Sequence, residues 1–222
     1  MKHVLFVVSS AGVIGPNKRK TGYFMSEVSH PFFEFEKNGF AVHFASPAGG
    51  TPPMDGYDEK DAKDVEFKSS PAWARLNSSQ KLSEVDIAGY DAVFFPGGLG
   101  PMVDLADNAQ ARQLVRSAWE SSRVVGAVCH GPVALLGVTL SDGKRLIEGK
   151  RLASFTDEEE KGYAQKDVPF LLQSALKQQG AISVEVAPWQ PNTVVDGRLV
   201  TGQNPASAAG VARAMMAAML NP

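Results

Sequence analysis

The chain has one cysteine in 222 residues, so it cannot close an internal disulfide, and nothing ties it to an oxidising compartment. No apolar run reaches the length a bilayer span requires. The N-terminal stretch MKHVLFVVSS pairs a positive charge with an apolar run. That run is short and reads as a first strand rather than a signal peptide. Neither sign of charge is in excess. Twenty-two Lys and Arg face 24 Asp and Glu, with no basic stripe for nucleic acid and no acidic tail. Four scattered histidines and a single cysteine make no metal-ligand pattern. Nucleotide motifs also fail. GGLGPM lacks the third glycine of a dinucleotide loop, and GVTLSDGKR has Arg145 where a P-loop needs Ser or Thr. These absences predict a cytoplasmic protein that engages neither nucleic acid nor membrane and needs no cofactor or metal.

Glycine is plentiful, with 21 residues, and suits a fold of many tight connections. Four short apolar runs read as strands: HVLFVVS (3–9), FAVHFAS (40–46), DAVFFPG (91–97) and VVGAVC (124–129). Near-continuous apolar runs suit parallel strands covered on both faces. A helical stretch over 22–38 ends at Asn38-Gly39, with Pro31 a flaw inside it. A second helix over 108–122 places Leu114, Val115, Ala118 and Trp119 on one side. Such alternation predicts an α/β fold with a doubly wound, mostly parallel sheet. Residues 49–83 interrupt it. They are polar and turn-rich, but Met54, Tyr57, Phe67, Trp73 and Leu76 predict an ordered flap inserted in a single domain spanning 1–222. NTVVDGRLVTG reads as a hairpin turning at Asp196-Gly197, and NPASAAGVARAMMAAML as a closing helix with Asn204 at its N-cap.

The chemistry-bearing stretch is RVVGAVCHGPVALL, residues 123–136. An apolar strand runs into small-x-Cys-x-Gly and then a helix start, the pattern of a nucleophile elbow. Neighbours two places from the nucleophile must be small, and Ala127 and Gly131 are. A helix N-terminus after Cys129 favours a thiolate. The plain alternative is a buried, inert cysteine at a strand end. FFPGGLGP (94–101) ends the neighbouring strand, and Gly97-Gly98 frees the backbone to aim N–H groups at an anionic oxygen. Gly98 and His130 N–H groups are the natural oxyanion pair; a tight strand exit is the plain alternative. Two carboxylate regions compete to serve the thiol. Glu27 lies beside the apolar face of the first helix (Val28, Phe32, Phe35), where a carboxyl must be paired or neutral. Glu34 and Glu36 are expected to face solvent. Asp157, Glu158, Glu159 and Glu160 follow the short strand RLASF, and pattern alone does not choose among them.

Together, DAVFFPGGLGPMVDL, AVCHGPVALL, LIEGKRLASFTDEEE, VVDGRLVTGQNPASA and TGYFMSEVSHPFFEFEKNGFAVHFASPAGG resemble the ThiJ/PfpI superfamily, and more narrowly its glyoxalase III and heat-shock chaperone branch. The resemblance runs nearly end to end. It implies a flavodoxin-like sandwich akin to class I glutamine amidotransferases and a homodimer. It carries the nucleophile onto Cys129, its partner onto His130, the third triad member onto Glu160 and the acid bonded to the thiol onto Glu27. One departure is Leu99, where many relatives have His after the two glycines. The implied activity is a cofactor-independent glyoxalase acting on small carbonyl substrates such as methylglyoxal. The same thiol would serve a deglycase or cysteine hydrolase. Oxidised to a sulfinic acid, it would serve a redox-responsive holdase with unfolded-protein clients.

Overall fold

The structure is a computed structural model describing residues 1–220; the last two residues of the expected 1–222 domain lie outside the described ones. Seven strands form the central sheet: β1 (His3–Val7), β2 (Ala41–Ser46), β3 (Gln80–Lys81), β4 (Ala92–Phe95), β5 (Val124–Val128), β6 (Thr193–Asp196) and β7 (Leu199–Gly202). Their spatial order is β6-β7-β5-β4-β1-β2-β3. All neighbouring pairs are parallel except β6 with β7, the hairpin turning at Asp196-Gly197. The expected α/β, flavodoxin-like doubly wound sheet is therefore present. β1, β4 and β5 are almost wholly buried, because helices cover both faces of the sheet.

The principal helices are α1 (Ser26–Lys37), α2 (Ala62–Ser69), α3 (Pro71–Leu76), α4 (Ala109–Glu120), α5 (Asp157–Lys161), α6 (Leu172–Gln178) and α7 (Ala208–Leu220). α1 and α7 share one face with Phe6, Phe94 and Val128; α4 and α6 share the other with Leu5, Val93 and Ala127. Alternate residues of each strand feed alternate layers, as a period of two requires.

Residues 49–83 are built from short capped pieces. The Asp61 side chain accepts the N–H groups of Lys63 and Asp64 at the start of α2, and Ser70 caps α3 ahead of Pro71. Phe67 and Leu76 are buried, and the Phe67 ring meets Phe32 of α1 edge-on at 5.0 Å. The segment ends by adding β3 to the sheet edge.

Three local expectations are corrected. The helix expected over 22–38 begins only at Ser26, because Tyr23 and Phe24 are held extended. Their N–H groups bond Pro53 O at 3.0 Å and Gly97 O at 3.1 Å. Pro31 sits inside α1 without ending it. The stretch after Cys129 is a five-residue 3-10 turn, Gly131–Leu135, rather than an α-helix. Glu34 is buried instead of facing solvent, because α7 brings Arg213 to 3.2 Å from it and Lys37 pairs with it at 2.7 Å.

Candidate active site

The site is assembled at the C-terminal ends of β4 and β5, where neighbouring parallel strands open into one crevice. β5 delivers Cys129, whose φ of +60° lies in the left-handed region that side chains other than glycine rarely adopt. Two backbone bonds hold it there: Cys129 N–H to Gly202 O at 3.0 Å, and Phe155 N–H to Cys129 O at 2.8 Å. The turn tolerates nothing larger than glycine at 131. A Cβ there would stand 2.0 Å from the Phe95 carbonyl oxygen. This is the close backbone passage that the small-x-Cys-x-Gly pattern predicts.

Cys129 is only 4% exposed, and four groups surround its sulfur. The backbone N–H groups of Gly98 and His130 face it and favour its charged form. His130 Nδ1 lies 3.3 Å away, and the Glu27 carboxyl completes the set. His130 is fully buried, and its Nε2 sits 2.6 Å from Glu160 Oε2. Its ring also lies 4.5 Å from Phe155, centre to centre, so packing and the Glu160 contact together fix its plane. The structure thus gathers Cys129, His130, Glu160, Glu27 and Gly98 at one place.

Burial dominates the electrostatics. Glu27 is fully buried on α1, and loss of hydration pushes its carboxyl up to about 8, partly opposed by the Gly97 N–H and the Cys129 thiol. The Gly97 N–H reaches Oε2 at 2.5 Å. Oε1 is buried with no partner of good hydrogen-bond geometry. A Cβ at residue 97 would stand 2.7 Å from Oε2 and 2.8 Å from the Cys129 Cβ, so glycine lets the acid and thiol approach. Burial, and then the Glu27 charge, push the Cys129 thiol up, while the Gly98 and His130 N–H groups pull it down. Two negative charges in so dry a site repel strongly. Chemistry at the sulfur needs the one negative charge on sulfur and the proton on Glu27, an arrangement that the Gly98 and His130 N–H groups favour against the burial that pushes the thiol up. Stabilisation of the sulfur comes from individual N–H groups, since the short 3-10 turn replaces the expected helix.

Among the four consecutive acids, the start of α5 assigns distinct positions. Thr156 caps the helix in a reciprocal box with Glu159. Glu160, one residue on, points to His130. Asp157 accepts from Ser174, and Glu158 pairs with Lys161 at the surface. Leu99 packs wholly within the core. The sequence reading passed over an aromatic group beside the triad: Phe155, Tyr163 and Trp189, with Arg19 4.7 Å above the Tyr163 ring. A signal for one of them stood in Pro188-Trp189-Gln190-Pro191, a turn sequence with an aromatic at its centre.

His3 and His43 pair with each other at 2.9 Å away from the site. His30, Asp61 and Asp64 bring possible metal-ligating atoms within 4.8 Å of one another. Protein partners already engage them: His30 bonds Asp61 at 2.7 Å, and Asp64 accepts from Ser29 Oγ at 2.5 Å.

The glutathione-independent glyoxalase HSP31 of Saccharomyces cerevisiae is 31% identical to this chain, covering 99% of it and 98% of its own length. Among solved structures, the Rapid Encystment Protein 24 KDa of Francisella tularensis is similar at a TM-score of 0.94 and 32% identity, covering 99% of both chains. Glyoxalase III of Candida albicans is similar at a TM-score of 0.87 and 29% identity, covering 98% of this chain and 97% of its own. The model of the DJ-1/PfpI family matches residues 20–218 and so takes in the elbow, both glycines and both acids; the chain belongs to that family.

Proposed function

We propose that the chain is a glutathione-independent glyoxalase that converts 2-oxoaldehydes such as methylglyoxal to 2-hydroxy acids through Cys129. The observation that carries this reading is the pairing of a buried elbow thiol with a buried acid whose carboxyl is raised to about 8. Simple acyl transfer needs only a nucleophile, a base and an oxyanion hole. An aldehyde isomerisation also needs a group that gives and takes a proton near neutral pH beside the adduct. The relatives named as glutathione-independent glyoxalases agree with this.

In the proposed sequence, the Cys129 thiolate adds to the aldehyde carbon C1, and the C1 oxygen is held by the Gly98 and His130 N–H groups. Glu27 gives that oxygen its proton, forming the hemithioacetal. As a carboxylate, Glu27 then removes the hydrogen of C1 and returns it to C2, while the C1 hydroxyl proton passes to the C2 oxygen. C1 is oxidised to a thioester and C2 reduced to an alcohol, with no external electron carrier. His130, oriented by Glu160, activates water against the thioester. Hydrolysis frees the 2-hydroxy acid anion and the thiolate; of the two protons released, one returns to Glu27 and one leaves to solvent.

The lone cysteine and the balanced charge support a cytoplasmic setting. Among the described residues, no helix is long and apolar enough to cross a membrane.

Purified protein given methylglyoxal without glutathione should produce lactate, and Cys129→Ala should produce none. Lactate from both proteins would overturn the thiol mechanism. Its absence from both would favour the deglycase or redox-sensor chemistry of the same cysteine.

A further inference from the structure

The turn at Ala187–Gln190 is closed by Gln190 N–H to Ala187 O at 3.2 Å, with Pro188 second and Trp189 third. Trp189 has a φ of +64°. Proline second and a positive φ third is the type II pattern, whose third position ordinarily takes glycine or asparagine. Here the bulkiest side chain occupies it. Burial does not explain the choice, because Trp189 is 50% exposed.

The turn is actively held. Trp189 N–H bonds Glu159 Oε1 at 2.8 Å, and Glu159 is 1% exposed. The same carboxylate oxygen accepts Asn204 Nδ2 at 2.9 Å, while Oε2 takes the Thr156 N–H and hydroxyl at 3.0 Å each. One buried carboxylate therefore fixes both the Trp189 turn and the first turn of α5, whose next residue is Glu160. The Trp189 ring meets Phe155 edge-on at 5.4 Å and Tyr163 at 6.0 Å. Both of those rings adjoin His130, at 4.5 and 6.5 Å. An aromatic surface thus runs from the buried imidazole outward to solvent and ends on an exposed indole.

We propose that Trp189 is a specificity-determining residue: with Tyr163 it walls the approach to Cys129 and holds the carbon substituent of the 2-oxoaldehyde, favouring aryl and large apolar substituents over methyl. An exposed aromatic face rewards contact with another ring, and the left-handed turn aims the indole where a more relaxed backbone would not. This inference rests on the glyoxalase reading for its substrate class.

Trp189→Gly tests it without threatening the fold, since glycine is the residue this turn prefers. Its melting temperature should equal or exceed that of the wild type. The ratio of kcat/KM for phenylglyoxal to that for methylglyoxal should fall about tenfold in Trp189→Gly, and Trp189→Phe should retain most of it. An unchanged ratio would overturn the proposal. Alkylation of Cys129 by phenacyl chloride and by chloroacetone reads the same wall without turnover, and the single cysteine makes the mass shift unambiguous. The phenacyl preference should shrink in Trp189→Gly by a similar factor. If neither aldehyde is turned over, the glyoxalase reading falls and the alkylation ratio alone decides the wall; an equal ratio in both proteins would discard it.

Discussion

Glu27 sets the acid–base character of the site, and its behaviour follows from where α1 puts it. A carboxyl with no hydration and one backbone donor keeps its proton to about pH 8. Glu27→Gln keeps a donor to sulfur but cannot accept the hydrogen of C1. Turnover of methylglyoxal should fall by about 10² to 10⁴, with the far-ultraviolet spectrum unchanged. The shift also has a signed consequence for stability. In the unfolded chain Glu27 ionises near its ordinary 4.5, and in the folded chain only near 8. Between those values the folded state binds more protons, so this contribution is complete below pH 4.5 and is lost as pH rises towards 8, by up to about 1.4 kcal/mol per pH unit. Glu27→Gln lacks that loss. Unfolding by urea should show the variant gaining on the wild type from pH 5 to pH 8, and a constant difference would contradict a buried neutral acid. Cys129, Gly131 and Gly98 were legible in the sequence, because steric demand at an elbow leaves a residue pattern. Glu160 was reached only through the family resemblance, because by pattern four adjacent acids look alike until the helix start gives each its own direction.

At the scale of elements, the weakest piece carries an important side chain. α5 has five residues, too few to hold a helix by its own hydrogen bonds. The Thr156–Glu159 box closes the first turn, one residue before Glu160 meets His130, so the cap is expected to hold Glu160 in place. Thr156→Ala should cost about 1 kcal/mol of stability and lower kcat more than it raises KM, and Thr156→Ser should restore both. Equal kinetics for Thr156→Ala and the wild type would show that Glu160 is placed by the core alone. The strands β1, β2, β4 and β5 were readable within a residue or two, since burial on both faces writes continuous apolar runs. The start of α1 was misread because Tyr23 and Phe24 are captured by Pro53 and Gly97, partners distant in sequence. The turn after Cys129 was misread because proline suits the first turn of either helix type.

For the molecule as a whole, the sheet separates sites where a side chain damages chemistry from sites where it damages only packing. Gly131 and Gly126 lie on one stretch of chain, yet their surroundings differ. A Cβ at 131 meets the backbone of β4, which cannot yield without opening the elbow. A Cβ at 126, in the middle of β5, would stand 2.1 Å from Met215 Sδ on α7. Methionine has three rotatable bonds and gives way, at a cost that spreads through the layer of α1 and α7. Gly126→Ala should therefore lower stability by about 1–3 kcal/mol, seen as a lower urea midpoint at an unchanged m-value. The paired register of β5 with β4 and β7 is kept, so Cys129 stays held by Gly202 and Phe155. Lactate formation per folded molecule at 25 °C should then stay within about twofold of the wild type, a change of less than 0.5 kcal/mol in the barrier. A large loss of rate in fully folded Gly126→Ala would mean that the α7 layer, and not the elbow's own backbone bonds, sets the geometry at the thiol.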